Sequence, residues 1–432
     1  MNQKIKLFGI AEEGAITQAE NCLNEAEAFV LMADNHKGYG MPVGGVAVYK
    51  NKISPAGVGF DIACGNKAVK LNLKYEQIKD QLPDLAEEIW NNISFGVGRK
   101  NKDKVDHPLF ESPAWGLDLF KLYPDLKQKA QSQLGTVGAG NHYVDVFMDE
   151  EENIWIGVHF GSRGLGHAIA SHFMKLAGDN VNIMDETPHC LDVNSKDGQD
   201  YLIAMALAGE YAYAGRDWVC DKVASILNAE IIDEVHNHHN FAWEEEHNGE
   251  KYYVIRKGAT PAFPGQRGFV GSTMSDNSFI LAGVESELSR ESFYSTVHGA
   301  GRVMSRTEAA GKLKRGKQFE CGNYRNCDGV LPNSARNGDG SSPQCPKCGS
   351  KMHSRNTSIT IKKGAIDFEE VKSQMIKKGI ILKGGGADEA PAAYKKLDEV
   401  LKFHNGTINI LHTLRPLIVC MAGSDEYDPY KD

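Results

Sequence analysis

Ile154-Trp-Ile-Gly-Val158 runs straight into His159-Phe-Gly-Ser-Arg-Gly-Leu-Gly-His167. The first five residues have the length and apolar content of a short strand, and the glycine-rich run begins where that strand would end. Upstream, Val46–Tyr49 and Lys67–Leu73 alternate like strands and bracket Ile53-Ser-Pro-Ala-Gly-Val-Gly-Phe-Asp-Ile-Ala-Cys-Gly65. Thr17 and Glu20 have capping-box spacing. Ala19, Cys22, Leu23, Ala26, Phe29 and Val30 then form one apolar face, which predicts a helix over 16–33 ending at Asp34-Asn-His-Lys-Gly-Tyr-Gly40. Helices are also expected over 75–91, 113–133 and about 198–235, with a strand at Tyr252–Arg256. Strand and helix alternate irregularly, so the fold class expected is α+β, one large mixed domain rather than a doubly wound sheet.

The chain has 432 residues, with 48 Lys and Arg against 57 Asp and Glu and a net charge of −9. At 41% hydrophobic it can bury a real core. No stretch approaches the ~18 consecutive apolar residues of a membrane span. Met1–Gly14 lacks the apolar centre and cleavage site of a signal peptide. Nine cysteines without a framework spacing fit reduced thiols, so the localisation expected is cytoplasmic. The acidic balance excludes a general coat for nucleic acid; RNA or DNA would be held by a local basic patch or by metal ions. Glycine is high, at 45 residues, and clusters in short runs where backbone can approach a ligand closely.

Four constellations carry chemistry. Asp61 and Cys64 lie three apart between glycines and can both reach one metal ion from a loop. Histidines sit beside glycine or asparagine at His142, His159, His236, His238-His239-Asn240 and His298. A mixed Asp/Cys/His shell suits Mn, Fe, Co or Zn better than Mg or Ca. Gly161-Ser-Arg-Gly-Leu-Gly166, Gly299-Ala-Gly-Arg302 and Gly384-Gly-Gly386 offer backbone N–H groups to phosphate oxygens, with Arg adding charge-assisted bonds.

The fourth constellation is Cys321, Cys327, Cys345 and Cys348, in a polar stretch with little core of its own, where structural zinc is expected as a staple. His353 is an alternative ligand there. The stretch reads as an inserted zinc-ribbon-like module over 314–356, dividing the large domain into 1–313 and 357–432. Lys312, Lys314, Arg315, Lys317, Arg325, Arg336, Lys347, Lys351 and Arg355 make its surroundings basic, a local RNA contact in an acidic chain.

Taken in order, Asp34–Gly45, Gly59-Phe-Asp-Ile-Ala-Cys-Gly65, Gly138-Ala-Gly-Asn-His142, His159–His167, His239-Asn240, Arg256-Lys-Gly-Ala-Thr260, His298-Gly-Ala-Gly-Arg302 and Asp388-Glu-Ala-Pro-Ala-Ala-Tyr-Lys395 resemble the RtcB family of tRNA-splicing and RNA-repair ligases. The resemblance covers roughly residues 30–310 and 357–423. It implies a GTP- and Mn(II)-dependent ligase that joins RNA 3′-phosphate or 2′,3′-cyclic phosphate ends to 5′-hydroxyl ends. Cys64 would bridge two Mn ions, with Asp61 and His142 on one and His159 and His239 on the other. His298 matches the nucleophile that becomes a covalent guanylate. Asn141, Arg163, Asn240, Ser272, Gly299, Ala300, Gly301, Arg302 and Tyr394 fall on nucleotide- or phosphate-binding positions, and Asp145 stands where the family has a Glu near guanine. The resemblance also implies possible dependence on an archease-type activator. Two motifs depart from the family: Gly271-Ser-Thr-Met-Ser275 replaces Gly-Ser-Met-Gly, and Met421 or Ala422 replaces a Lys that reaches the guanine.

Two other classes stay open on the residues alone. A divergent metal-dependent phosphoesterase or nucleotidyl-transfer enzyme would trim RNA ends without joining them. A non-catalytic RNA-end-binding zinc protein would keep binding ends after loss of Cys64 but not of Cys345.

Overall fold

The strand read at 154–158 extends over Asn153–Phe160 and is buried along its whole length. The structure, a computed structural model, describes residues 4–180, 187–323 and 327–423, and backbone only at 313–316 and 356–360. Asn153–Phe160 lies within an eight-strand sheet in the order Arg267–Val270, Ser278–Gly283, Ile408–Gly423, Tyr143–Met148, Asn153–Phe160, Gly65–Lys74 and Ile231–His238; Ile381–Gly385 adds parallel to Ile408–Gly423. Its alternation is informative because both faces are covered. Ile154, Ile156, Val158 and Phe160 pack with Leu85, Ile89, Val219 and Val223 on one face, while Trp155 joins Phe147, Phe269 and Val419 on the other. His159, two positions on from Gly157, continues the Trp155 side of the strand.

A second sheet of five strands, Ile5–Leu7, Ala28–His36, Val43–Tyr49, Glu250–Lys257 and Asn240–His247, stands beside it. The helices Arg163–Ala177 and Lys196–Ile226 cover it through Ile169, Phe173, Tyr201, Leu207 and Tyr211, which share a core with Phe29, Leu31, Ala47 and Tyr49. The two sheets meet through the chain itself: Ile231–His238 of the first turns at His239 into Asn240–His247 of the second. Mixed helices and sheets around one large domain make the fold class α+β, as the sequence indicates. Among the described residues, no helix is long and apolar enough to cross a membrane.

Three expected helices are corrected. The helix placed at 16–33 runs Glu13–Cys22; Thr17 lies inside it and its hydroxyl donates to Glu13 O at 3.1 Å instead of capping. Ala28–His36 is a strand, because Phe29, Val30, Leu31 and Met32 are buried on both faces between two partner strands. A continuous apolar run satisfies helix and buried strand equally, and tertiary pairing decides between them. The helix placed at 198–235 is Lys196–Ile226. Asn228 takes a left-handed conformation (φ 51°) that stops it, and Ile231–His238 pairs with Gly65–Lys74. Residues 113–133 form a short turn of helix at Pro113–Gly116 and helices Asp118–Leu122 and Leu126–Gln133, broken at Pro124.

A separate three-stranded sheet consists of Gly311–Cys321 flanked by Val330–Pro332 and Met352–Lys363. Its hairpin register runs from Gly311 opposite Lys363 to Cys321 opposite Met352. Among the described residues Phe319, Cys321, Cys345 and Met352 form its buried core.

Candidate active site

The loop Asp61-Ile-Ala-Cys64 follows a one-turn helix, Pro55–Val58, whose N-cap Ser54 accepts from Gly57 N–H. Three long-range bonds fix the loop: Ala63 N–H donates to Asn240 O at 2.7 Å, Ser162 Oγ donates to Ile62 O, and Cys64 O accepts from His239 N–H at 2.9 Å. Ala63 itself is left-handed (φ 59°), as is Arg163 (φ 53°) across the site. Such conformations cost on the order of 1 kcal/mol or more and persist where surrounding contacts impose them. Gly161 is required by proximity, since a Cβ there would meet Asp61 Oδ1 at 2.3 Å.

The result is a cluster centred on Cys64. Its Sγ lies 3.6 Å from His142 Nε2 and 3.4 Å from His159 Nε2, and His142 Nε2 faces Asp61 Oδ2 at 3.2 Å. The donor atoms of Asp61, Cys64 and His142 converge within 4.8 Å of one another, as do those of Cys64, His159 and His239. Cys64 is common to both sets. Asp61 Oδ2 is buried and makes no well-aligned hydrogen bond; its near neighbour is His142 Nε2, the other donor of the same set, as fits atoms that converge on a cation. Asn66 Oδ1 sits 2.7 Å from His159 Nδ1; it accepts the proton there and leaves Nε2 as a lone pair facing the thiol. Burial and the Asp61 carboxylate push the Cys64 thiol well up, and burial drives His159 and His239 far below the ordinary histidine range. Neutral imidazoles and a thiol that only a cation would ionise make a divalent-metal donor set.

His236 and His238 are not in this cluster. Both face the helix Lys196–Ile226, where the fully buried Arg216 donates to His236 Nε2 at 2.7 Å and lies 3.0 Å from His238 Nδ1. Arg216 also donates to Ala63 O and Phe160 O, so it braces the metal loop. Period-2 geometry separates the three histidines that sequence proximity runs together.

His298 leaves the short strand Ser295–Val297 at the opposite wall. Its Nδ1 is 2.7 Å from Asp34 Oδ2, and its own N–H donates to the same oxygen at 3.0 Å. This fixes the proton on Nδ1 and leaves Nε2 nucleophilic. Burial alone would raise the Asp34 carboxyl, but the His298 ring and N–H hold it below its ordinary value. Asp34 is gripped by its backbone neighbours: Lys395 Nζ donates to Ala33 O at 3.0 Å and to Asn35 O at 2.8 Å, and Ala33 N–H donates to His404 Nε2. Gly301 (φ +76°) passes so close that a Cβ would meet Asp34 O at 2.1 Å. The His298 ring centroid is 4.9 Å from that of His239, which links nucleophile and metal donors.

Both groups line one cavity of about 890 Å³, together with Asn141, Asp145, Arg163, Asn240, Ser272, Gly299, Ala300, Gly301, Arg302 and Tyr394. Asp145 Oδ1 and Ser272 Oγ are buried in it with no partner, and burial raises the Asp145 carboxyl well above its ordinary value. Asn240 bridges Asp61 O and Gly258 N–H. Arg302 donates to Tyr394 OH at 2.9 Å and Asp388 O at 2.8 Å, and Glu389 anchors both it and Arg306. Of the two residues standing at the family's Lys position, Met421 lines the cavity, two places from Val419 and in register with Tyr143, whereas Ala422 packs into the opposite core.

Asp34, Asn66, Lys257, Arg306 and Glu389 are functional neighbours that residue-by-residue reading missed. Asp34 and Lys257 stood inside quoted motifs, and Arg306 falls four residues after Arg302. Lys257 donates to Tyr39 O and Ala56 O, and burial draws it down to about 8. Glu389 also stood inside a quoted motif, next to Asp388, whereas Asn66 has no signal of its own, since its partner His159 is 93 residues away.

The four cysteines of the small sheet form a distinct cluster, all Sγ within 4.8 Å of one another, with Cys321–Cys348 at 3.3 Å and Cys327–Cys345 at 3.6 Å. All four are free thiols and His353 is not among them. Contacts with Ser350 draw Cys348 down to about 6. Close, undisulfided and locally spaced, the four fit a tetrahedral zinc site. Of the basic residues noted around it, Arg325 and the side chains of Lys314 and Arg315 lie outside the described residues.

The family model described as tRNA-splicing ligase RtcB matches residues 17–323. The chain is 31% identical over 421 residues to an RNA-splicing ligase RtcB of Escherichia coli, covering 91% of this chain and 89% of that one. It is 32% identical over 389 residues to a tRNA-splicing ligase RtcB of Archaeoglobus fulgidus (72% and 80% covered), and 28% identical over 471 residues to one of Thermococcus kodakarensis (90% and 86% covered).

Proposed function

The chain belongs to the RtcB family, and from that premise we propose that it is a GTP- and Mn(II)-dependent RNA ligase joining 3′-phosphate or 2′,3′-cyclic phosphate ends to 5′-hydroxyl ends. The observation that carries the reading is the Asp34–His298 pair standing 4.9 Å, ring to ring, from the Cys64-centred donor cluster in one cavity. In the proposed reaction His298 Nε2 attacks the α-phosphorus of GTP and pyrophosphate leaves. At a 2′,3′-cyclic end water first breaks the bond from phosphorus to the 2′ oxygen and leaves the 3′-phosphate; the GMP then passes from His298 to the 3′-phosphate, and the 5′-hydroxyl attacks that phosphorus and displaces GMP as the 3′,5′-phosphodiester forms. Asp34 holds the His298 proton on Nδ1 throughout and stabilises the charge on the phosphorylated ring. Two Mn(II) ions, held by Asp61, Cys64 and His142 and by Cys64, His159 and His239, would neutralise phosphate charge and align the displacement. Arg163, Asn141 and Arg302 supply donors for phosphate oxygens, and Asp145 and Ser272 the unpartnered polar atoms for a base.

In the same reading Cys321, Cys327, Cys345 and Cys348 hold structural zinc, residues 314–356 are an insert in a catalytic domain made of 1–313 and 357–432, and the enzyme works in the cytoplasm, with an archease-type protein as a possible activator. The test is incubation with α-labelled GTP and Mn(II). Label should stay on the wild-type chain and be absent from His298→Ala; equal labelling of the two sinks the nucleophile assignment. Met421, opposite Tyr143 and sharing the cavity with Asp145, favours one variant of the reading, in which base selection is relaxed because the family's Lys is replaced by an uncharged side chain. Ligation with GTP and ATP in parallel measures it.

A further inference from the structure

The three-stranded sheet departs from the cavity wall. Arg306 lines the cavity, the helix Arg306–Ala310 follows, and the hairpin begins at Gly311. The return strand ends at Lys363, and Ala365 and Ile366 N–H donate back to Glu308 O and Ala309 O, closing the root of the hairpin on that helix. Eleven residues of paired strand give the hairpin a reach of about 33 Å at ~3.3 Å per residue.

Its charge differs in sign from the rest of the molecule. Residues 311–363 hold eleven Lys and Arg against three Asp and Glu, a surplus of eight in a chain whose total is −9, so the remainder carries −17. Lys312, Lys317, Lys351, Arg355, Lys362 and Lys363 are all exposed. None of the six has an ion-pair partner among the described residues, whereas Lys347, nearby, pairs with Asp328. The register adds a second observation. Lys312 stands directly opposite Lys362, Gly311 opposite Lys363 and Gln318 opposite Arg355, so none of these cations faces an acidic residue directly across the ladder. Like charges on opposed residues destabilise a hairpin, and here the fold sets them at its root beside the cavity. Phe319, a buried aromatic ring of the sheet, lies beneath Arg336 and offers no free face to a base.

We propose that this hairpin is an arm that grips the phosphate backbone of the RNA strand whose end lies in the cavity, without reading its sequence. The inference rests on the RNA-ligase reading for the identity of the polyanion, and it assigns length dependence to a surface outside the reacting centre. Phosphate contacts from Lys and Arg position a strand, and each adds to the salt dependence of binding. At ~3.4 Å per stacked nucleotide the arm spans about ten nucleotides.

The test uses the full-length chain carrying Lys312→Gln, Arg355→Gln, Lys362→Gln and Lys363→Gln together. Binding of a 3′-phosphate RNA of roughly thirty nucleotides is followed by fluorescence anisotropy against salt, without GTP. At ~0.7 per contact, the slope of log K against log salt should become shallower by about 3, and affinity at low salt should fall at least about tenfold. The difference between the two proteins should shrink as the RNA is shortened to five nucleotides, and guanylylation of His298 should be unchanged, which shows that the variant is folded. Equal slopes and equal affinities on the long RNA overturn the arm. So does a loss confined to an acidic protein partner or to self-association against the −17 body. Absence of ligation by wild type, with the binding difference intact, overturns the ligase reading and leaves the arm standing.

Discussion

Two cysteine centres in this molecule are built in opposite ways. Around Cys64 a single thiol is shared by donors brought from Asp61, His142, His159 and His239, positions spread over nearly 180 residues and set by two sheets. Around Cys321 four thiols come from 28 consecutive positions, in a sheet whose buried core, among the described residues, is four side chains. In the first the fold carries the donors and would stand without an ion. In the second the donors carry the fold, because so small a core cannot offset the entropy of ordering its chain. The difference separates a centre for chemistry from a staple.

The comparison breaks most easily at the thiols. Cys64→Ala should reduce ligation at least about a thousandfold while leaving the melting of the body unchanged, since the loop stays braced by Arg216 and Asn240. Cys345→Ala should do the reverse: bound zinc falls by one per chain and the arm becomes susceptible to proteolysis, with labelling of His298 preserved. If Cys64→Ala unfolds the body, or Cys345→Ala abolishes labelling, the contrast fails.

Asp34→Asn tests whether geometry in the body is set by side chains rather than by the ion. An amide can present either N–H or O to His298 Nδ1, and guanylylation should fall by about 10³–10⁴ with metal content unchanged. The pH response should also differ between the two regions. Burial holds His404 down at about 4, against 6.5 when unfolded. The unfolded chain therefore binds a proton below pH 6.5 that the native chain refuses until about pH 4. Stability from this group is fully present above 6.5 and is lost as pH falls toward 4, by about 3 kcal/mol. Denaturant melts of wild type and His404→Gln over pH 4–7 should show that slope flattened in the variant. Smaller still, Lys395→Met should lower the rate of guanylylation roughly tenfold without changing KM for GTP, because Lys395 touches only the carbonyls on either side of Asp34. The smallest effect expected is from Met421→Lys, which should favour GTP over ATP by a few-fold, read as a ratio of KM values.

The sequence made the site more legible than the fold. The expected metal donors, the nucleophile and the nucleotide-contacting residues around them meet in one cavity, because glycine-rich loops with His, Asp and Cys carry their chemistry locally, whereas Gly384-Gly-Gly386, also expected at phosphate, does not line it. What it hid depends on distance or parity. Phe29–Met32 reads equally as helix or strand until the strands on either side are known. Asp34 acquires its meaning only from His298, 264 residues on. His236, His238 and His239 look alike in the sequence and are sorted by the face each presents to Arg216. At Met421 and Ala422, alternation along Ile408–Gly423 decides which one meets the ligand space.

That same strand has a consequence for how the molecule is made. Among the described residues Ile408–Gly423 follows every other strand in sequence, yet it sits inside the eight-strand sheet, between Ser278–Gly283 and Tyr143–Met148. A ribosome-bound chain must therefore hold two unpaired strand edges open until residue 423 has been translated. Only then does the sheet zip shut and the cavity acquire its Val419 and Met421 wall. Nascent and C-terminally clipped chains should thus be substrates for chaperones before they can become enzymes.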